Sequence, residues 1–289
     1  MKNNLVSIII PTYKSWDLLE KCLCAIDEQT YTGEYEVLVV NNDVDPQHPI
    51  EILNHKNLRI LQELKPGSYA ARNKGIAESR GEILVFTDAD CIPDKNWLKN
   101  GISKLIETNA GIVAGDVKLF YKNHKKLSAA EVYDKYTGFD QKGYVSYGNC
   151  ITANWFSFKN VMEQFGNFNS ELKSNGDSDL SGKISKKYSV LFSEDSIVFH
   201  PARYTLDEII IKHKRLIGGT YDRVYKGTNK DFNRYVRIFM FRRIRFNLNL
   251  FRKLKIQDGI KVMKIHTYLF PEIIREAKRI LKMGSTERL

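Results

Sequence analysis

Through the N-terminal part of the chain, short β-branched runs alternate with longer amphipathic stretches bounded by Gly, Asn and Pro. This is the alternation that an α/β domain requires. Val6 to Ile10 reads as a buried strand stopped by Pro11. Leu18, Leu19, Leu23 and Ile26 then recur at helical spacing, with Asp17 supplying a favourable charge at the helix start. Glu36 to Val40 predicts a second strand ending at Asn41-Asn42-Asp43, and Leu58 to Leu61 a third before Lys65-Pro66-Gly67. Ala70 to Ser79 favours a helix that Gly81 breaks, and Ile83 to Phe86 is a fourth apolar strand running into Thr87-Asp88-Ala89-Asp90. Strand, helix and strand in this order imply a mainly parallel sheet flanked by helices.

Ligands of such sheets sit beyond the carboxyl ends of the strands. Three polar clusters fall there, Thr12-Tyr13, Asn41-Asn42-Asp43 and Asp88-Ala89-Asp90, and they are expected to converge. Further on, Leu206, Ile209, Ile210 and His213 predict a helix, and Gly218-Gly219 a mobile hinge able to close a loop over the ligand. Phe241, Ile244, Leu248 and Phe251 recur at helical spacing among Arg242, Arg243, Arg245, Arg252 and Lys253. That pattern fits a helix lying in an anionic membrane surface, and equally an apolar stripe packed on the core with its charges in water. The organisation expected is one α/β domain over residues 1–227 and a basic, mainly helical extension over 228–289.

Composition adds the location of the charge. Of the net +11, residues 201–289 carry 22 Lys/Arg against 8 Asp/Glu, while residues 1–200 carry 23 against 26. A membrane leaflet or a nucleic acid would each attract such a region, but no recognised nucleic-acid-binding motif accompanies it. Cys22, Cys24, Cys91 and Cys150 have neither the paired spacing of a zinc motif nor the density of a disulfide scaffold, and read as reduced thiols. The apolar run Leu5 to Ile10 is too short for a secretory signal or a membrane span. The expected location is cytoplasmic, either free or peripheral on the inner face of the cell membrane.

Asp88 and Asp90 flank one residue at a strand end, so a bend there can turn both carboxylates toward one hard cation, Mn2+ or Mg2+. Taken alone the pair reads first as a solvated turn. Its neighbours bear on the choice. Ser7-Ile8-Ile9-Ile10-Pro11-Thr12-Tyr13, Val39-Val40-Asn41-Asn42, Gly67-Ser68-Tyr69-Ala70-Ala71-Arg72-Asn73-Lys74-Gly75 and Gly81 to Asp90 follow one another in order. Thr152 to Phe156, Phe165 to Phe168 and Gly176-Asp177-Ser178-Asp179-Leu180 come after them. In these segments the sequence resembles a family 2 inverting glycosyltransferase with the GT-A fold.

The resemblance implies transfer of a sugar from a nucleotide diphosphate sugar, a UDP-sugar foremost, to a saccharide or lipid-linked acceptor. By it, Pro11, Thr12 and Tyr13 line the nucleoside pocket and Asn42 holds the base-contacting position, although Asn41 and Asn42 stand where the family commonly has aspartates. Arg72 pairs with donor phosphate and Asn73 supports the pocket. Asp88 and Ala89 face the donor, and Asp90 holds the metal. Asn154, Trp155 and Asp179 lie on the acceptor side, and Asp177 is the general base, with Gly176 where the motif often has Glu. His200, opening His200-Pro201-Ala202-Arg203, is a third metal ligand or a packed histidine. Asp177 and Asp179 suit a helix N-terminus as well as they suit catalysis. Two other classes remain open: a sugar nucleotidyltransferase on the same sheet, and a non-catalytic membrane- or nucleic-acid-binding protein of this fold.

Overall fold

The computed structural model describes residues 4–253 and 256–286; the side chains of Arg252 and Lys253, counted above in the basic helix, lie outside the described residues. Contacts divide the chain into two compact units. The first comprises residues 1–118, 139–171 and 176–200, and the second residues 119–138, 172–175 and 201–289.

The first unit starts with β1 (Val6–Thr12), α1 (Trp16–Asp27), β2 (Tyr35–Asn41), β3 (Leu58–Gln62), α2 (Ser68–Glu78) and β4 (Ile83–Phe86), close to the expected bounds. β5 (Ile92–Pro93), α3 (Trp97–Thr108) and β6 (Ile112–Phe120) follow. After the helix α4 (Ala129–Thr137), which belongs to the second unit, come α5 (Gln141–Ser146), β7 (Trp155–Phe158), α6 (Lys159–Gln164), α7 (Gly176–Ile184) and β8 (Val190–Pro201).

The strands form one sheet in the order β3-β2-β1-β4-β7-β6-β8-β5. β1 pairs in parallel with β2 and β4, and β2 with β3. β7 runs antiparallel to β4 and β6, and β5 antiparallel to β8. The parallel character expected from the sequence therefore holds for β1 to β4, and the later strands make the sheet mixed.

Both faces of the parallel half are covered, which is why its strands read as continuous apolar runs rather than alternating ones. Successive side chains point to opposite faces. Val6, Ile8 and Ile10 join Leu19, Leu23 and Ile26 of α1 and Trp97 and Leu98 of α3 in one cluster. Ile9 joins Ala71 and Ile76 of α2, Met162 of α6 and Leu180 of α7 in another. Thr12 is registered against Asn41, and Ile9 against Phe86, so β1, β2 and β4 all end at one edge, where Asp88 and Asp90 follow.

The second unit is helical: α4, α8 (Leu206–Thr220), α9 (Asn229–Lys253) and α10 (Ile256–Met283). Tyr133, Ile209, Ile217, Phe232, Val262, Leu269 and Ile273 are fully or nearly fully buried in its core. α4 and α8 each begin with a complete capping box, Ser128 with Glu131 and Thr205 with Glu208. Within the core, the side chain of Asp134 is wholly buried between Arg203 (3.0 Å) and Lys212 (2.9 Å). Burial works against ionisation there, but the two cations outweigh it and hold the carboxyl below its ordinary range.

Gly218 and Gly219 do not form the expected hinge. Both are buried inside α8, and a Cβ on Gly219 would lie 2.6 Å from the Ser174 side chain and 2.9 Å from its carbonyl oxygen. Gly219 serves close packing, which a sequence shows in the same letters as flexibility. On α9, Phe232, Val236 and Leu250 face inward, whereas Ile238, Phe241, Ile244 and Leu248 are exposed. Among the described residues no helix is long and apolar enough to cross a membrane.

Candidate active site

The site is built on the carboxyl ends of β1, β2 and β4. Beyond β4 the chain turns so that a carboxylate oxygen of Asp88, one of Asp90 and the Cys91 sulfur lie within 4.8 Å of one another. Asp88 and Asp90 remain about one-third exposed. Cys91 is fully buried and belongs to the core, and burial together with Asp88 and Asp90 pushes its thiol well above the ordinary range. That leaves two accessible oxygen donors on one side of a bend, a set suited to a hard divalent cation. His200, at the end of β8, places Nε2 3.3 Å from Asp90 Oδ2, and the Phe139 ring packs edge-on to its imidazole at 4.7 Å. The donor set at Asp88, Asp90 and His200 thus fits a divalent metal.

Arg72 sits in α2 with its guanidinium buried, donating from Nη2 to Asp88 Oδ1 at 2.5 Å. Its Nε is buried without a hydrogen-bond partner. The Tyr69 ring lies 5.8 Å from the guanidinium carbon, and Tyr69 Oη donates to Asp177 Oδ1 at 3.4 Å. Asp177, in the first turn of α7, keeps some exposure. Desolvation by the surrounding protein raises its pKa and the nearby Asp88 adds to the rise, while the Ser178 N–H and Arg72 work against it. A chain of contacts therefore runs from Asp177 through Tyr69 and Arg72 to Asp88. Gly176 is explained by the same chain: a Cβ there would lie 2.7 Å from the Tyr69 ring, so the acid common at this position has no room.

Thr12 Oγ1, at the end of β1, is buried without a hydrogen-bond partner, beside the partly exposed Pro11 and the exposed Tyr13. Asn42 spends its amide on backbone: Nδ2 donates to the Glu63 and Lys65 carbonyls at 2.7 and 2.9 Å, and Oδ1 accepts from the Gly67 N–H at 2.6 Å. Only an amide can do both, since a carboxylate lacks the donor. Asn73 likewise clamps both backbone groups of Phe168, at 2.7 and 3.0 Å. Ala89 is buried between the two acids.

The residues expected on the acceptor side make their contacts within the fold. Asn154 is fully buried, donating to the Asp116 and Ser196 carbonyls and accepting from Trp97 Nε1 at 2.8 Å. Trp155 is equally buried, in β7, packed edge-on against Phe86 and Phe168. Asp179 pairs with Lys183 one turn along α7 at 2.7 Å. Tyr69, which touches both Asp177 and Arg72, had no role assigned from the sequence, where it reads as one more apolar helix residue.

A half-parallel sheet covered on both faces, with paired carboxylates beyond its carboxyl edge, is an α/β arrangement suited to a nucleotide and a divalent metal at that edge. The sequence model of the family described as Glycosyl transferase family 2 matches residues 7–166. Glycosyltransferase AglE of Haloferax volcanii is 40% identical over 207 residues, 68% of this chain and 67% of the relative. The chain belongs to glycosyl transferase family 2. UDP-Glc:alpha-D-GlcNAc-diphosphoundecaprenol beta-1,3-glucosyltransferase WfgD of Escherichia coli is 28% identical over 43% of this chain and 49% of its own length, so that match spans about half of the relative. The mannosyltransferase PcManGT from Pyrobaculum calidifontis, solved with GDP-Man and Mn2+, superposes with a TM-score of 0.58 at 20% identity, covering 96% of this chain and 74% of that one. That likeness confirms the GT-A fold.

Proposed function

We propose that the protein is an inverting glycosyltransferase that moves a sugar from a nucleotide diphosphate sugar, a UDP-sugar foremost, to a saccharide or lipid-linked acceptor in cell-surface glycan synthesis. The observation that carries this reading is the convergence of Asp88 and Asp90 at the carboxyl edge of the sheet, with Arg72 bonded to Asp88. The family and the UDP-sugar and lipid-linked diphosphate in WfgD's name support the donor and acceptor classes. PcManGT, bound to GDP-Man, makes guanine the alternative base.

Asp90 and His200 would hold Mn2+ or Mg2+, and a bound ion would supply positive charge to the departing diphosphate. Thr12 offers the nucleoside its unspent hydroxyl beside Pro11 and Tyr13. Asp88, held by Arg72, faces the donor ribose together with Ala89. Arg72 also brings positive charge toward the phosphates, while Asn42 and Asn73 keep the surrounding loops in place. Asp177 takes the proton from the acceptor hydroxyl as its oxygen attacks the anomeric carbon from the face opposite the diphosphate. The bond from that carbon to the diphosphate oxygen breaks, and configuration inverts. The pKa shift of Asp177 suits it to this work, because a raised value makes a stronger base.

Where the sequence predicts a boundary at residue 227, the contacts divide the chain near residue 200 instead; the sheet unit carries the transfer, and α9 of the helical unit holds the enzyme at the inner face of the cell membrane. On α9, Ile238 (41% exposed), Phe241 (65%), Ile244 (44%) and Leu248 (60%) share the outward face with the exposed Arg234, Arg237 and Arg245. Apolar groups that insert between lipids, flanked by cations each worth about 1 kcal/mol at an anionic leaflet, suit that surface. Sedimentation with anionic vesicles should fall sharply for Phe241→Glu/Leu248→Glu in the full chain, and unchanged binding would remove the membrane from the account.

The activity is tested by incubating the protein with Mn2+, a panel of nucleotide sugars and candidate acceptors. Nucleoside diphosphate should appear with glycosylated product, and Asp90→Ala should cut the rate by roughly a thousandfold or more. Release of pyrophosphate would instead identify a nucleotidyltransferase.

A further inference from the structure

On the first unit, apart from the Asp88–Asp90 site, α1 and the segment ahead of β3 bring together Glu20, Cys24, Asp27 and His55. Glu20, Cys24 and Asp27 are spaced four and then three residues apart, so they form one stripe along the helix. His55, following the short 3-10 turn Ile50–Asn54, reaches into that stripe. Its Nδ1 lies 2.7 Å from Asp27 Oδ2, and its Nε2 lies 3.2 Å from Glu20 Oε2.

The protons decide what this arrangement can hold. A carboxylate only accepts, so Nδ1 carries a proton and donates it to Asp27. In the neutral ring Nε2 then bears a lone pair, which faces a second carboxylate. The His55 side chain is only 9% exposed, and neither Nε2 nor Glu20 Oε2 has a hydrogen-bond partner. Two buried electron-pair donors that face each other without a correctly angled proton between them call for a cation.

The spacing matches a metal. Nitrogen and oxygen ligands each about 2.0–2.1 Å from a tetrahedral Zn2+ stand roughly 3.3–3.4 Å apart, against 3.2 Å here. The Cys24 sulfur completes a trio whose ligand atoms all lie within 4.8 Å of one another. Cys24 is exposed, which opens the trio to solvent for metal arrival and for a water as fourth ligand. A histidine whose second nitrogen is fixed by a carboxylate is the usual outer support of a zinc-bound imidazole, and Asp27 fills that place.

We propose that Glu20, Cys24 and His55 form a second metal site, for Zn2+ or a similar thiolate-binding transition ion, with Asp27 orienting His55. The donors explain why it differs from the Asp88–Asp90 site: an accessible thiolate selects Zn2+, whereas accessible carboxylates suit Mg2+ or Mn2+. Binding would tie the stretch between β2 and β3 to α1. A second proton on His55 is the competing cation, and it makes a different prediction.

The test uses Co2+ as an optical stand-in for Zn2+ on the purified full chain. One equivalent of Co2+ should produce a near-ultraviolet thiolate-to-cobalt charge-transfer band that Zn2+ abolishes, and Asp90→Asn should leave that band in place. Cys24→Ser should remove the band while leaving the far-ultraviolet circular dichroism and the Mn2+-dependent transfer rate unchanged. Asp27→Asn should weaken Co2+ binding by about 10–100-fold, and Glu20→Gln by about tenfold or more. No charge-transfer band, or a band that survives in Cys24→Ser, would overturn the proposal and leave His55 as a protonated ring between two carboxylates.

Discussion

Asp177 and Asp134 are the same residue type under opposite management. Asp134 lies in the helical unit with its side chain fully buried, but Arg203 and Lys212 approach to 3.0 and 2.9 Å and its pKa falls. Asp177 lies in the sheet unit and keeps some exposure, yet desolvation lifts its pKa and the second carboxylate, Asp88, adds to the lift. Its contacts, the Tyr69 hydroxyl and the Ser178 N–H, carry no charge. One carboxylate is satisfied and contributes to stability. The other has no paired cation among the described residues and a raised pKa, the pattern expected where binding or proton transfer is the task.

The sharpest way to break the comparison is to remove each charge. Asp177→Asn should lower kcat by roughly 10²–10⁴-fold with donor binding intact, while its melting temperature holds or rises because an uncomfortable ionisation has gone. A variant that loses stability and keeps its turnover would place Asp177 among structural acids. Asp134→Ala should do the reverse, costing about 3–5 kcal/mol by stranding Arg203 and Lys212, as read by denaturant titration. Activity per folded molecule should be unaffected.

Smaller effects follow from pH. For Asp177 the folded pKa exceeds the unfolded one, so ionisation costs the fold stability as pH rises from the unfolded value to the folded value. The acid limb of kcat should accordingly lie above the usual carboxylate range. For Asp134 the folded pKa is the lower one. Its stabilisation is complete above the unfolded value and is lost as pH falls through the folded value. Stability curves of wild type and Asp134→Ala should therefore converge in acid. The smallest change expected is in Asn42→Asp, which keeps the acceptor for the Gly67 N–H but loses the donors to Glu63 and Lys65. About 1–2 kcal/mol of stability should go, by thermal melts.

The parallel half of the fold was legible because it is buried on both faces. Unbroken runs such as Val6 to Ile10 have few alternative readings, although β1 runs on through Pro11, where the sequence predicts a stop, to Thr12. β5, of two residues, and the antiparallel pairings of β7 are set by long-range register and leave no local signature. At the site, the acids were legible because their chemistry needs them adjacent in sequence. The roles of Asn42, Asn73 and Asn154 were not, because each amide is committed to backbone distant in the chain, at Glu63 to Gly67, Phe168, Asp116 and Ser196. The Glu20–Cys24–His55 trio escaped for the same reason. Two of its members share a helix face, and the third arrives from beyond β2.

The short segment Leu172–Asn175 belongs with the helical unit although the chain on either side of it belongs with the sheet unit. Ser174 is seated in the space that the missing side chain of Gly219 leaves on α8, and α7, with Asp177, begins immediately after. The two units are therefore interleaved like stitches, not strung like beads. A gene cut after residue 200 would encode the sheet while removing Gly219, against which Ser174 packs. An exchange of the helical unit between relatives would have to carry residues 172–175 along with the helices.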